Sequence, residues 1–563
     1  MDGRILTQLR SRAGTAPDDR QRMYLLPGKI AWQQGDVRNA GALLLDTPGQ
    51  IALDAKEVCT MEGGSSLVLD FGREIHGGME FSVYSVDGNQ GKAELRIRFG
   101  ESFMEAMSEL GGQGNATNDH ARRDFTMTVQ GLSMNPVGES GFRFIRIDVL
   151  TAGVLLKIST VKAVLIYRDI PYVGSFRCSD PQLEQIWDTC AYTVHMCMQH
   201  YIWDGIKRDR LVWIGDLHPE IMAILTVFGD HPLIRKSLDF AVENTPEKGW
   251  MNGIPAYSMW WIILQHDYFL QSGDREYLQR QLTYLEIICD MLSGYIGPDG
   301  RDTTPEMRFV DWPSRDNEIA VNEGLQALRI LATRCAIVIF ESFDQTIQAR
   351  RCREDLQKLM SWPVKLTGYK QCDALAVWAG LISAEKANRE SLQPGGAAGL
   401  STFMGSYILN ARAIAGDVSG GLEALREYWG GMLKLGATTF WEDFDIRWMD
   451  RAASIDRMPQ AGEVDVHGSY GGYCYVGYRH SLCHGWSSGA ATWLTRYILG
   501  VQVMEPGCRK LQIRPNLCDL DWAEGSYPTP FGTVQIRHRK LDDGTVETEV
   551  LAPEGVAWEL AKE

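Results

Sequence analysis

Asp204-Gly-Ile-Lys-Arg208-Asp209-Arg210-Leu-Val-Trp213-Ile-Gly-Asp216 gathers three carboxylates, two arginines and a tryptophan into thirteen positions. A solvated charge run has no use for Ile206, Leu211, Val212 and Trp213 among its charges. The mixture implies a partly buried polar site. A second acidic cluster, Gly436-Ala-Thr-Thr-Phe440-Trp441-Glu442-Asp443-Phe444-Asp445, places Glu442 directly after two bulky aromatics. A carboxylate against an aromatic wall loses solvation, which favours its neutral form and raises its pKa. Proton-transfer catalysis uses that environment. The plainer alternatives are structural. Glu442 and Asp445 would pair with Arg447 or Arg451 on a helix surface, and Arg208 and Arg210 would form an ion network with Asp204 and Asp209.

Aromatics are dense around both clusters: Trp203, Trp213, Trp250, Tyr257, Trp260, Trp261, Trp312, Trp441, Tyr470, Tyr473, Tyr475 and Trp486. Tryptophan offers a large apolar face with one polar tip, suited to the C–H faces of sugars and equally to core packing. The adjacency of Trp and acid at 203–204, 311–312 and 441–442 carries more information than any single ring. His484 stands beside Gly485 and Trp486, where an imidazole could donate to a ligand oxygen or serve as a core histidine. Other catalytic designs are missing from the sequence: HExxH, a Walker loop, GxGxxG and GxSxG. His195 and His200 flank Cys197, but no second cluster completes a metal site. No metal or cofactor is expected.

The elements that must position these residues follow from periodicity. Runs at 67–72, 81–86, 93–100, 125–129 and 142–149 alternate apolar and polar residues, which predicts β-strands and a sandwich or jelly roll. Asp180-Pro181 reads as a helix N-cap and first-turn proline. Helical spacing then predicts helices from 181 and over 215–229, 231–244, 257–272, 274–293, 317–343, 402–415, 417–434 and 482–498. Alternation returns at 511–515, 532–540 and 545–551. Segregated runs of this kind imply separate domains, over residues 1–175, 176–499 and 500–563. No short repeat period is visible, so a closed helical toroid is expected rather than a solenoid.

The 563 residues exceed one ordinary core. A formal net charge of −16 argues against nucleic acid or an anionic membrane as partner. No run is long and apolar enough for a membrane helix. The first residues lack the apolar core of an export signal, and the cysteines have no CxxC pairing, so a cytoplasmic home is expected.

At these residues the chain resembles the bacterial α-L-rhamnosidases of glycoside hydrolase family 78. That family shows Asp-x-x-x-Arg-Asp-Glu-Arg-x-x-Trp-x-Gly-Asp, matched by 204–216, and Gly-Ala-Thr-Thr-x-Trp-Glu, matched by 436–442. The likeness extends to DFG (70–72), GES (100–102), IPAYSMWW (254–261), VDW (310–312), SLCHGWSSG (481–489) and elements of 499–532. The resemblance implies a multidomain fold of α and β type, with an (α/α)₆ barrel catalytic domain flanked by N-terminal and C-terminal β-sandwich domains. It also implies inverting hydrolysis of terminal α-L-rhamnosides, a carbohydrate as partner, and an open question of oligomeric state. Glu442 matches the general base. Asp209 falls at the general-acid position, in a motif one residue shorter than the common Arg-Asp-Glu-Arg, with Asp216 as the alternative acid. Asp204, Arg208, Trp213, Asp216, Trp260, Asp311, Trp312, Trp441 and His484 correspond to substrate-binding positions. Two other readings stand beside this one: a carbohydrate-binding homologue with weakened catalysis, and a glycosidase for another sugar. An inverting pair requires its carboxyls roughly 6.5–9.5 Å apart.

Overall fold

The computed structural model describes residues 18–46, 58–305, 307–473 and 475–561. The first residues, where no export signal was expected, lie outside these. Strands β1 (Arg20–Leu25), β2 (Lys29–Gln34), β3 (Val37–Arg38), β4 (Cys59–Glu62), β5 (Ser66–Asp87), β6 (Lys92–Gly100), β7 (Asp124–Gln130), β8 (Ser133–Val149) and β9 (Leu155–Arg168) form a nine-stranded sheet. Its main path runs β3-β4-β9-β5-β8-β6-β7, with β1 on β9 and β2 on β5. The runs at 67–72 and 81–86 belong to the single strand β5, whose register with β8 breaks between Asp70 and Ile75. Gly72 occupies that break at φ 81°, its N–H donating to Asp70 Oδ1 at 2.7 Å. Such a bulge bends a strand and lets it serve two layers. The buried face of this sheet (Leu67, Leu69, Phe81, Leu95, Ile97, Ile145, Ile147) packs in one cluster with Cys197, Ile206 and Cys483. The N-terminal core therefore runs without a break into the loops of the helical block.

Among the described residues that block holds twelve helices that build the ring, α1 (Pro181–Cys197), α2 (Ile214–Val227), α3 (Pro232–Glu243), α4 (Pro255–Ser272), α5 (Arg275–Ser293), α6 (Glu318–Ser342), α7 (Thr346–Leu359), α8 (Lys370–Trp378), α9 (Ala384–Ala387), α10 (Gly405–Ile414), α11 (Val418–Lys434) and α12 (Gly489–Tyr497), and one four-residue helix, Val466–Ser469, in the connection from α11 to α12. The even-numbered helices pack in a closed ring, α2-α4-α6-α8-α10-α12 and back to α2, and the odd-numbered ones lie against them as outer partners. Burial explains the division. Inner α4 is buried on nearly every face along its first eleven residues. Outer α7 buries only Ala349, Cys352, Asp355 and Leu359, one narrow stripe. A helix apolar all round belongs inside, and one with a single apolar stripe belongs on the perimeter. Asp180 caps α1 as the sequence predicts, accepting from Gln182 N, with Pro181 in the first turn.

Strand β10 (Ser175–Cys178) precedes the ring but pairs antiparallel with the much later β15 (Trp522–Thr529). The small pair β11 (Ala452–Ala453) and β12 (Val464–Asp465) lies between α11 and α12. Beyond the ring, β13 (Val501–Val503), β14 (Lys510–Ile513) and β18 (Ala557–Leu560) make one sheet. The other holds β10, β15, β16 (Gly532–Lys540) and β17 (Val546–Leu551). The expected boundary at 175/176 thus falls within a strand of the C-terminal sheet. Among the described residues no helix is long and apolar enough to cross a membrane.

Candidate active site

The residues singled out in the sequence converge at the N-terminal ends of the inner helices. Residues 204–213 lead into α2, Tyr257 lies in the first turn of α4, Asp311 and Trp312 precede α6, and Glu442 and His484 precede α12. Helix N-termini carry partial positive charge and unsatisfied N–H groups, which favours acidic side chains at this mouth.

The 204–211 loop is closed by its own backbone. Asp204 N donates to Leu211 O at 3.1 Å, and Leu211 N donates to Asp204 Oδ1 at 2.9 Å. Inside the loop Asp209 and Arg210 adopt φ of 50° and 56°. Neither is glycine, and each such residue costs on the order of 1 kcal/mol or more. The surrounding contacts hold them there. Arg208 Nη1 lies 3.3 Å from Glu442 Oε1, and Arg208 Nε lies 3.5 Å from Asp209 Oδ1. The two carboxylates meet different nitrogens of one guanidinium, so that group spaces them apart. The Tyr475 ring packs under the same guanidinium at 4.8 Å.

Glu442 is held by an exchange with Ser481: Glu442 N donates to Ser481 O, and Ser481 N donates to Glu442 Oε2, each at 2.9 Å. Trp486 Nε1 donates to the Glu442 carbonyl at 3.0 Å. Burial raises the Glu442 carboxyl above the ordinary glutamate range, and Arg208 and His484 pull it part of the way back. His484 Nε2 stands 3.6 Å from Asp204, 3.7 Å from Glu442 and 3.9 Å from Asp216. Burial lowers this imidazole to about 4, although the Glu442 and Asp209 charges oppose it. Asp204 and Asp216 are raised well above the usual range, first by burial and then by neighbouring acids. Tyr257 Oη donates to Asp216 Oδ1 at 3.3 Å. One turn further along α2, Glu220 is fully buried, and both its oxygens lack a hydrogen-bond partner among the described residues. Burial raises its carboxyl well above the ordinary glutamate range.

Asp311 accepts from Trp312 N and Ser401 Oγ, and burial pushes its carboxyl up to about 7. Trp312 stacks on Tyr473 at 5.2 Å and meets Tyr475 edge-on at 5.4 Å, which joins this wall to Arg208. Trp213 caps α2 and meets Tyr257 edge-on. Trp260 and Trp441, expected among the substrate-binding positions, are both buried among other aromatic side chains. Trp260 packs on His218, Trp378, Phe403 and Tyr407, and Phe403 in turn stacks on Trp486, so Trp260 forms a layer beneath the site. Trp441 packs against Phe444 and His480 within the core. The surface alternative for Glu442 fails, since Asp445 pairs with Arg447 while Glu442 faces inward.

Several residues that touch the site carried no assignment in the sequence reading. Tyr257, Tyr475 and Trp486 were visible only as members of an aromatic-rich set. His120, from the N-terminal domain, brings Nδ1 to 3.1 Å from Asp209 Oδ1. Glu101 accepts from Ser481 Oγ and Leu482 N, and so fixes the backbone that holds Glu442. Lys207 Nζ sits on Glu101 at 2.9 Å and Glu105 at 3.2 Å, and donates to the Tyr478 and His480 carbonyls. That ammonium already satisfies the Glu101, Glu105 and His467 group as a potential cation site. Asp204, Asp216 and His484 also present ligand atoms within 4.8 Å of one another. A separate cavity of about 410 Å³ lies between α2, α4, α12 and the C-terminal strands, lined by His218, Asp267, Trp378 and Tyr527.

A ring of six helical hairpins with carboxylates at its mouth is the architecture of a six-hairpin glycosidase. Residues 171–332 match the bacterial alpha-L-rhamnosidase six-hairpin glycosidase domain, and residues 500–561 match the bacterial alpha-L-rhamnosidase C-terminal domain. Two segments of the chain are thus similar to domains of the bacterial α-L-rhamnosidases. The fold is similar to that of a family 78 rhamnosidase of Bacillus sp. GL1, at 20% identity and a TM-score of 0.75, over 93% of this chain and 55% of that one. A rhamnosidase from Klebsiella oxytoca with rhamnose bound matches at 20% identity and a TM-score of 0.67, over 85% of this chain and 96% of that one. The Streptomyces avermitilis α-L-rhamnosidase complexed with L-rhamnose matches at 14% identity and a TM-score of 0.67, over 88% of this chain and 48% of that one. The chain thus spans about half the length of the Bacillus and Streptomyces proteins and nearly the whole of the Klebsiella one. No curated protein sequence matches it.

Proposed function

We propose that this protein hydrolyses terminal α-L-rhamnosyl residues with inversion of configuration, Asp209 acting as general acid and Glu442 as general base. The observation that carries the reading is the pair of carboxylates spaced by Arg208 at the mouth of a rhamnosidase-type barrel. An inverting reaction needs room for water between base and anomeric carbon, and a guanidinium's width between the acids supplies more room than a contact pair would. Glu442 suits the base role because Ser481 and Arg208 orient both its oxygens. Asp204, Arg208, Asp311 and His484 are the candidates for holding sugar hydroxyls, which need partners once buried. Asp209 is the most exposed of the acids, as suits a group that must reach the leaving-group oxygen. The rhamnose held by the Klebsiella and Streptomyces proteins supports the choice of sugar.

The test is hydrolysis of an aryl α-L-rhamnoside followed by proton NMR from the first turnovers. Release of the β-anomer first is the expected result. First release of the α-anomer replaces inversion with a retaining route. Binding of rhamnose without hydrolysis favours the weakened homologue instead.

A further inference from the structure

We propose that His120, supplied by the N-terminal domain, is a positioning residue for Asp209: it occupies Oδ1 and thereby assigns the transferable proton to Oδ2. This rests on the reading of Asp209 as the acid. His120 lies in the loop between the short helix Phe103–Met107 and β7, and its Nδ1 stands 3.1 Å from Asp209 Oδ1. Its other ring nitrogen, Nε2, faces Arg479 Nη2 at 3.1 Å. A guanidinium has only N–H groups to offer, so Nε2 accepts and the ring hydrogen stays on Nδ1. The tautomer that donates to Asp209 is thus set from behind.

The ring itself is tied down. Arg210 Nη2 donates to the His120 carbonyl at 2.7 Å, and Arg479 Nε donates to Asp119 Oδ2 at 2.8 Å. Asp119 Oδ2 also lies 3.4 Å from His120 Nε2. The charged groups around the imidazole are therefore Asp209, Asp119, Arg479 and Arg210. Arg208 Nε approaches the same Asp209 oxygen that His120 does, at 3.5 Å. A carboxyl oxygen that faces an imidazole N–H at 3.1 Å and a guanidinium charge at 3.5 Å is a poor seat for a proton, so the hydroxyl forms at Oδ2. When that proton passes to the leaving-group oxygen, the charge left on Asp209 already faces His120 and Arg208. The strained backbone at Asp209 and Arg210 is held from the same side, since Arg210 is the residue that grips the His120 loop.

The test compares leaving groups. His120→Ala should lower kcat on aryl α-L-rhamnosides with poor leaving groups on the order of 10-fold or more, as misplacement of a reacting group does. It should change kcat on activated leaving groups far less and leave KM within about two-fold. His120→Asn, whose side-chain N–H can stand where Nδ1–H stands, should recover most of the loss. Equal losses on both kinds of leaving group, or no recovery with asparagine, overturn the proposal. A second arm needs no turnover. The NMR chemical shift of His120 Nδ1, read at one pH, should differ between the wild type and Asp209→Asn, and an unchanged shift overturns the contact. Absence of rhamnoside hydrolysis in the wild type would sink the proposed function and leave this second arm readable.

Discussion

Arg208 Nη1 lies 3.3 Å from Glu442 Oε1, although 234 positions separate the two residues. Burial alone would hold the Glu442 proton to a high pH, and the guanidinium opposes it. A general base works deprotonated, so activity rises with pH through the raised Glu442 value. The acid limb of kcat/KM is expected above the ordinary glutamate range of about 4.3. Arg208→Gln removes the positive charge and should move that limb further up. A limb that stays in place or moves down removes Glu442 from the base role. Glu442→Gln should lower turnover ~10²–10⁴-fold with folding retained.

Asp311 ties stability to pH. Its carboxyl holds a proton up to about 7 in the folded chain, whereas an unfolded aspartate releases it near ~3.9. Between those values the folded state binds more protons than the unfolded state, so stability falls as pH rises. Asp443, pushed up to about 6 by burial, acts in the same direction. Calorimetric melting temperatures should drop between pH 5 and pH 7, and Asp311→Asn should flatten the drop. An Asp311→Asn profile parallel to wild type would place the titrating group elsewhere.

Lys207 should be indispensable to the joint between the first sheet and the ring. Lys207→Met leaves Glu101 without its cation and Glu105 with only Arg123 Nε at 4.0 Å, and breaking a buried pair in this way costs ~3–5 kcal/mol. Chemical denaturation should show the first unfolding transition at lower denaturant. A transition unchanged within error would mean that the two glutamates share a proton and need no lysine.

Gly485 leaves no room for a side chain. A Cβ there would lie 2.3 Å from Glu220 Oε1 and 2.5 Å from Glu220 Cδ. Gly485→Ala should destabilise by ~1–3 kcal/mol, as overpacking does. Combining it with Glu220→Ala should cost less than the two single changes added together, because the obstacle is gone. Strict additivity in thermal melts would show that the clash is relieved some other way.

Helical periodicity in the sequence located α1 to α6, α10 and α11, because each has an apolar stripe or an apolar body. It missed α7, where arginines, glutamines and one glutamate surround the few buried positions, and the short α8 and α9. The helix expected over 482–498 begins as an α-helix only at Gly489, preceded by a 3-10 turn over Gly485–Ser488. Strand β9 escaped because its lysines and threonine mask the alternation. The acid motifs were legible because several chemistry-bearing residues share one short segment. His120, Glu101 and Lys207 were not, because each acts through a partner far away in sequence. His120 follows Gly-Gly-Gln-Gly-Asn-Ala-Thr-Asn-Asp, a stretch that reads as an ordinary loop.

Strand β10 is made before the helical ring and β15 after it, yet the two are hydrogen-bonded neighbours. During synthesis the ring must therefore assemble with its opening strand unpaired, until the ribosome has released residues some 350 positions downstream. Contacts of such long sequence separation form late and slowly. A nascent chain stalled just after α12 would expose an open strand edge, and this is the stage at which aggregation or chaperone capture would compete with completion of the molecule.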